Sequence, residues 1–232
     1  MDFSDYLKPY LNKKNKTYYV ALSGGADSLV LLNELKKLQN EKDFSLIAIH
    51  INHNVQKDSE KWKTICENFC IENEIKFIVH SLKQKKNMSS NLEKKLRDER
   101  YRFFEKTLEK NSILFMGHHL DDLIETFFLR ALRGSGIEGL SSIPKERAVG
   151  KGKLIRPFLK IPKSEILAKA KKDKLKFIKD PSNKDISFDR NYLRNKVLPE
   201  IENRWPSYRK NLNQLIENLK ESSDLLITHA EK

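Results

Sequence analysis

The sequence predicts an α/β fold: a parallel sheet with helices on both faces, followed by a short helical C-terminal segment. Three observations predict it. Short apolar runs rich in β-branched and aromatic residues alternate with longer stretches of helical periodicity. A glycine turn stands between the first such run and the first helix. The 232-residue chain is also long enough for a cooperative core, since chains of this size bury roughly 70% of their unfolded surface.

The runs at 17–22, 44–51, 76–81 and 112–116 have strand length and strand composition. Between them, 27–38, 60–74 and 91–109 carry apolar residues at helical spacing on an otherwise charged surface. The resulting β-α-β-α-β-α-β string implies right-handed crossovers, a Rossmann-like arrangement, and ligands bound beyond the carboxyl ends of the strands. A helix is expected at about 119–132 and then, with four glycines between Gly134 and Gly150, a loop. Helices at 163–173 and 188–197 follow proline punctuation at Pro162 and Pro181. At 208–228 Leu212, Leu215, Ile216, Leu219, Leu225 and Leu226 mark a last amphipathic helix. The expected division is a catalytic domain over 1–200 and a helical extension over 201–232.

A formal charge of +13 and a pI near 9.5 point to a polyanionic partner, nucleic acid before membrane surface. The competing reading is a lysine-rich habit, with runs at 83–86 and 171–174 merely solvated. Cys66 and Cys70 lie on one predicted helix at a spacing that fits neither zinc nor redox motifs, so they are expected to be core packing in a reducing cytoplasm. No apolar run reaches the length of a bilayer span and the amino terminus is charged, which excludes a membrane helix and a signal peptide from the expectation.

The first strand runs into Ser23-Gly24-Gly25-Ala26-Asp27-Ser28, followed at once by a helix. Two glycines let the backbone approach a ligand, so that N–H groups and the positive helix end converge on an anion. The Walker ending and the three-glycine dinucleotide fingerprint are both missing. Asp27 would repel bare phosphate but suits a magnesium ion carried with it, because hard cations share carboxylate and phosphate oxygens. Farther on, His118, Asp122 and Glu125 fall at i, i+4 and i+7, with Asp121 four residues before Glu125, which gathers carboxylates on one helix face. The simpler reading there is a helix start enriched in acids by its dipole.

S-G-G-x-D-S after a first strand resembles the signature of the PP-loop (N-type) ATP pyrophosphatases, which cleave ATP between its α and β phosphates. Further segments resemble the tRNA(Ile)-lysidine synthetase family within that class. They are Ile49-His50-Ile51-Asn52-His53; Glu93 and Arg97 with Arg100-Tyr101; Gly117-His118-His119-Leu120-Asp121-Asp122-Leu123-Ile124-Glu125-Thr126; Leu132-Arg133-Gly134-Ser135-Gly136 with Gly139-Leu140; and Asp180-Pro181-Ser182-Asn183 with Arg190-Asn191 and Leu193-Arg194. The likeness spans roughly 17–199. Leu96, Leu123, Asn54, Gln56 and Ser142 depart from the family pattern beside these matches, and none of them removes an ionisable candidate.

The resemblance implies the PP-loop ATPase fold, ATP and Mg2+, an isoleucine tRNA with a CAU anticodon and free L-lysine as substrates, a cytoplasmic location and a homodimer. It also implies a reaction. The cytidine C2 oxygen is first adenylated with loss of pyrophosphate, and the lysine amine then displaces AMP. Residues 23–28 would hold the nucleotide and Asp27 the metal. A lysine amine has a pKa of about 10.4 and is protonated at neutral pH, so its attack needs a proton acceptor. Asp122 or Asp121, assisted by His118 or Glu125, is expected to hold and deprotonate it. Arg133, or Arg190 and Arg194 four residues apart, would stabilise charge on the α phosphate or grip the tRNA backbone. A thiolation enzyme would need better-placed cysteines, and an amide-forming synthetase gives no reason for the basic charge. An idle RNA-binding remnant would not keep this ionisable set. Larger family members continue into further domains thought to help hold tRNA.

Overall fold

The computed structural model describes residues 2–11, 16–52, 59–82, 92–141 and 143–230. The lysine run at 83–86, His53, Asn54, Gln56, Ser142 and the side chain of Glu93 lie outside them. Six strands form one sheet: β1 (Thr17–Ala21), β2 (Ser45–Asn52), β3 (Lys76–Ser81), β4 (Ile113–Phe115), β5 (Glu146–Val149) and β6 (Gly152–Ile155), in the order β3-β2-β1-β4-β6-β5. β1 pairs in parallel with β2 and β4, β2 with β3, and β4 with β6, whereas β5 runs antiparallel along β6.

The first four strands fall within one residue of the expected runs at each end. The stretch 134–150 departs from the expected loop, because it contains the short helix α5 (Ile137–Leu140) and β5. β5 and β6 are four residues each, too short for periodicity to reveal, and a tight turn at Gly150 joins them. Gly150 sits at φ +54, and a Cβ there would lie 2.5 Å from the Glu105 carbonyl oxygen, so the turn admits only glycine without strain.

The chain divides into two compact units. The first comprises Met1–Gly117, Glu146–Pro157 and Ser164–Ile178 and holds the whole sheet. β1 is buried through its centre: alternate residues serve opposite faces, Tyr19 joining Ile47, Ile49, Leu114, Met116 and Leu154 beneath Tyr101 and Phe104 of α3 (Leu92–Thr107) and Leu108 just after it. Helices α1 (Ala26–Gln39) and α2 (Ser59–Glu72) pack on β1, β2 and β3. α6 (Lys163–Lys172) is tied to α1 by Lys169, which meets Glu34 and Asp173 at 2.9 Å each, and by Asn33, which donates to Asp173 at 2.8 Å.

The second unit comprises His118–Lys145, Phe158–Lys163 and Lys179–Lys232. It is helical. α4 (Leu120–Ala131) contributes Leu120, Leu123 and Ile124 to a core shared with Leu159, Leu198, Tyr208 and Ile216. The helix expected over 188–197 begins as α7 (Asp189–Tyr192), widens into a π turn (Leu193–Val197) and continues as α8 (Leu198–Arg204). Pro199 explains the widening, since it has no N–H to return to the carbonyl of Asn195 and its ring would clash there. α9 (Tyr208–Ala230) closes the unit. Among the described residues no helix is long and apolar enough to cross a membrane.

Candidate functional site

The strand order reverses at β1, whose neighbours are β2 on one side and β4 on the other. A doubly wound sheet opens a crevice at such a switch point, outside the carboxyl ends of the strands. The segment 22–25 leaves β1 at that point. Leu22 N–H donates to Ile49 O at 2.8 Å, and Leu22 O accepts from His50 Nδ1 at 2.8 Å. Burial lowers the His50 pKa, so the imidazole stays neutral and can serve as that donor.

The glycine turn is fastened from within. Ser28 Oγ accepts from Ser23 N–H at 3.1 Å and donates to Gly25 O at 3.0 Å, and Ser23 Oγ accepts from Gly25 N–H at 3.3 Å. Among the described residues no side chain caps the first turn of α1, which leaves the positive end of a fourteen-residue helix for an anion. Asp27 stands in that turn, half-buried. Gly24 has φ +85 and gives its carbonyl to Ile178 N–H at 2.9 Å; a Cβ on it would come within 2.3 Å of Ile178 Cδ1. Gly24→Ala is therefore expected to lower stability by about 1–3 kcal/mol. Ile178→Ala added to it should recover only part of the loss in a thermal melt, because the backbone strain persists. Full recovery would assign the whole effect to the methyl contact.

Cys66 and Cys70 are buried and free, as packing residues should be, and burial pushes both thiols up to about 12. Thiolates with such values are scarce at neutral pH, so neither is a nucleophile or a metal ligand in this state.

In the second unit His119 caps α4. Its N–H donates to Asp122 Oδ2 at 3.1 Å and its Nδ1 accepts from Asp122 N–H at 3.3 Å. His119 Nε2 lies 3.4 Å from Asp122 Oδ2. Burial opposes the Asp122 charge. The imidazoles of His119 and His118, the His119 N–H and Arg190 outweigh it and hold the carboxyl below the usual aspartate range. His118 itself is half-buried.

Glu125 contrasts with Asp122 along the same helix. It is 0% exposed, and burial raises its pKa despite a two-pronged pair with Arg194, whose Nε and Nη2 donate to its oxygens at 2.7 and 2.8 Å. Arg190 Nε lies 3.6 Å from the same carboxylate, while its Nη2 donates to Thr126 Oγ1 at 2.8 Å, and that hydroxyl donates to Asp122 O at 2.8 Å. Arg194 Nη2 reaches within 3.8 Å of Asp122 Oδ1. Asp122, Glu125, Arg190 and Arg194 are thus brought together.

Asp121 and Arg133 are engaged elsewhere. Asp121 accepts from Lys163 N–H at 2.7 Å and from Arg209 Nε at 3.0 Å. Arg133 meets Asp189 at 3.4 Å, with both side chains largely exposed.

The segment that carries Arg190 and Arg194 is fastened by its own polar groups, of which Asp185 and Asn195 were not singled out in the sequence. Asn191 Nδ2 donates to Ser182 O and Asp185 O at 2.8 and 2.9 Å, and Asn195 Nδ2 donates to Asn183 O at 2.9 Å. Asp180 and Asp185 each accept from the N–H and hydroxyl of the serine two residues on. The repeated D-x-S spacing was the available signal for this folded segment.

The Asp122 carboxyl gives a testable pH dependence. Its pKa is lowered, so its stabilising contribution is present above the ordinary 3.8 and is lost as pH falls through the folded value. Asp122→Asn should melt below the parent protein at pH 7, and the two should converge below pH 3.8. A constant difference across the acid range would refute the ionised form as the stabilising one.

A family model described as the PP-loop domain matches residues 2–201. A protein of Buchnera aphidicola subsp. Acyrthosiphon pisum named tRNA(Ile)-lysidine synthase is 46% identical over 198 residues, 85% of this chain and 45% of that protein. One of Pseudomonas putida with the same name is 40% identical over 225 residues, 95% of this chain and 51% of that protein. The chain spans about half the length of the curated relatives it matches. Among solved structures, the U34-tRNA thiolase NcsA from Methanococcus maripaludis with its [4Fe-4S] cluster superposes with a TM-score of 0.73 at 22% identity, covering 94% of this chain and 78% of that one, a likeness of fold alone. Glycine turn, sheet order and the match over residues 2–201 lead to one conclusion: the chain belongs to the PP-loop domain family.

Proposed function

We propose that this chain joins lysine to C2 of the wobble cytidine of an isoleucine tRNA bearing a CAU anticodon. ATP adenylates the C2 oxygen with release of pyrophosphate, the lysine amine displaces AMP, and the resulting lysidine reads AUA in place of AUG. The observation that carries the reading is that relatives sharing 40–46% identity with most of this chain bear the name tRNA(Ile)-lysidine synthase. The charged groups are chemically suited to it.

Residues Ser23, Gly24, Gly25, Ala26, Asp27 and Ser28 would take the ATP phosphates on the N–H groups of the uncapped helix start. Among the described residues no cluster of three or more His, Cys, Asp or Glu side chains could hold a metal by itself. One carboxylate, Asp27, with phosphate oxygens and water fits the needs of Mg2+, which favours few protein ligands. When bound, the ion neutralises charge on the phosphates.

Asp122, kept ionised, suits holding the lysine ammonium rather than deprotonating it. The proton then passes to His118, whose imidazole accepts it in the neutral form and carries positive charge beside Asp122 only afterwards. Asp121, with both oxygens engaged by Lys163 and Arg209, serves this region by position. Glu125 aims Arg194 and Arg190, which supply the positive charge for the α phosphate or the tRNA backbone, and exposed Arg133 suits the backbone. A cytoplasmic homodimer belongs to the same reading.

The test is pyrophosphate release and radiolabelled lysine incorporation with purified protein, ATP, magnesium and an unmodified CAU-anticodon isoleucine tRNA transcript, against methionine tRNA. Lysine should enter the isoleucine transcript alone. Pyrophosphate without lysine would keep the nucleotide chemistry and reject the substrate.

A further inference from the structure

Four arginines crowd one tyrosine in the sheet-bearing unit. The guanidinium carbons of Arg147, Arg97 and Arg100 lie 4.1, 5.5 and 5.5 Å from the centre of the Tyr101 ring. Arg156, 3% exposed, is close enough for its charge to act on the same phenol. Among the described residues Arg97, Arg100 and Arg147 have no carboxylate partner, and the buried Arg100 Nε donates to nothing.

Cations over an aromatic face gain from its quadrupole, but that attraction does not cancel the repulsion among several like charges. A buried guanidinium N–H without an acceptor is a further cost. Burial pulls Arg100 and Arg156 below the ordinary arginine value, which marks the same discomfort. Such a cluster is satisfied by an anion with several acceptor oxygens, and a phosphate meets the planar fork of arginine two-pronged.

Its place in the fold agrees. Arg156 directly follows the last residue of β6, Arg147 stands on β5 opposite Leu154, and Arg97 and Arg100 are the sixth and ninth of the sixteen residues of the helix that follows β3. That is the carboxyl edge of the parallel strands, where a doubly wound sheet takes its ligands.

We propose that Arg97, Arg100, Arg147 and Arg156, gathered around Tyr101, form a second phosphate-binding site separate from the glycine turn. The phosphate comes either from an RNA backbone or from a nucleotide, and the chemistry of recognition is the same.

Arg97 and Arg147 are exposed, so their replacement tests the site with little risk to the fold, which a thermal melt of each variant checks. The experiment measures binding of a methionine tRNA transcript and, separately, of magnesium-ATP to the parent chain, Arg97→Gln, Arg147→Gln and the double variant, over a range of salt. Phosphate contacts are indifferent to RNA sequence, and lysine incorporation is not read, so a chain that makes no lysidine still reports here. If the phosphate is RNA's, each change weakens tRNA binding about tenfold and reduces the salt slope by about one, with ATP binding unchanged. If it is the nucleotide's, ATP binding weakens by a similar factor while tRNA binding holds. Arg147→Lys, which keeps the charge and loses the fork, should fall between parent and Arg147→Gln. Parent-like binding of both ligands by the double variant overturns the proposal.

Discussion

Asp27→Ala should abolish ATP-dependent pyrophosphate release, by at least about 10²–10³-fold, while leaving the melting temperature close to that of the parent chain. The fold can spare this side chain. The turn is closed by Ser23, Gly25 and Ser28 among themselves, and the helix behind it is anchored by Leu29, Leu31, Leu32 and Leu35, all 0% exposed. What the substitution removes is the one acid in the first turn of α1, in a place where a lone negative charge makes sense only if a cation accompanies the phosphates. Asp27→Asn is the sharper probe, since it keeps the shape and a coordinating oxygen but loses the charge. If Asp27→Ala released pyrophosphate at the parental rate, the glycine turn would not be the nucleotide site. A lowered melting temperature with restored activity at high magnesium would instead show that the residue acts through affinity for the metal.

How much of this was legible without coordinates depended on the range over which each feature is encoded. Two of the first four strands announce themselves because 18–22 and 46–49 are continuous apolar stretches bounded by polar residues, and a central parallel strand buried on both faces needs that composition. The glycine turn was equally plain, since strand, two glycines and helix are adjacent in sequence. β5 and β6 were hidden. Four residues carry little periodicity, and Glu146, Arg147 and Ala148 are exposed, so nothing in their composition distinguishes an edge strand from a loop.

The candidate site divides in the same way. Asp122 and Glu125 share a face by helical spacing, as their numbers alone require. That Asp121 would turn to Lys163 and Arg209 was not readable, because one partner is 42 residues away and the other 88. The opposite pKa directions of Asp122 and Glu125 were beyond reach for a related reason: burial and the partners at 118, 119, 190 and 194 set them, and only the folded chain assembles those. Leu123, which departs from the family pattern, has a structural account in its 5% exposure within the helical core.

Glu125 offers the second large effect. A carboxylate with no exposure, held by two arginines, keeps its charge against the preference of its surroundings. Glu125→Ala would leave Arg194 without the partner of its fork; truncating one member of a fully buried pair costs about 3–5 kcal/mol, and less here because Arg194 is 34% exposed and can be hydrated. Glu125→Gln isolates the charge. The raised pKa means that the stability Glu125 contributes is fully present below the ordinary 4.5 and declines as pH rises through its folded value. Glutamine does not titrate, so the melting temperature of Glu125→Gln relative to the parent should improve from pH 4.5 toward pH 7. Lysine transfer should move the other way, with kcat falling about 10²-fold at neutral pH as Arg194 and Arg190 lose the anion that aims them, and with the KM for ATP little changed. Arg194→Lys should give a similar kcat, because an ammonium cannot reproduce the fork. A parental kcat in both variants would reduce the Glu125–Arg194 pair to a structural fastening of α4 and require the positive charge for the reaction to come from elsewhere.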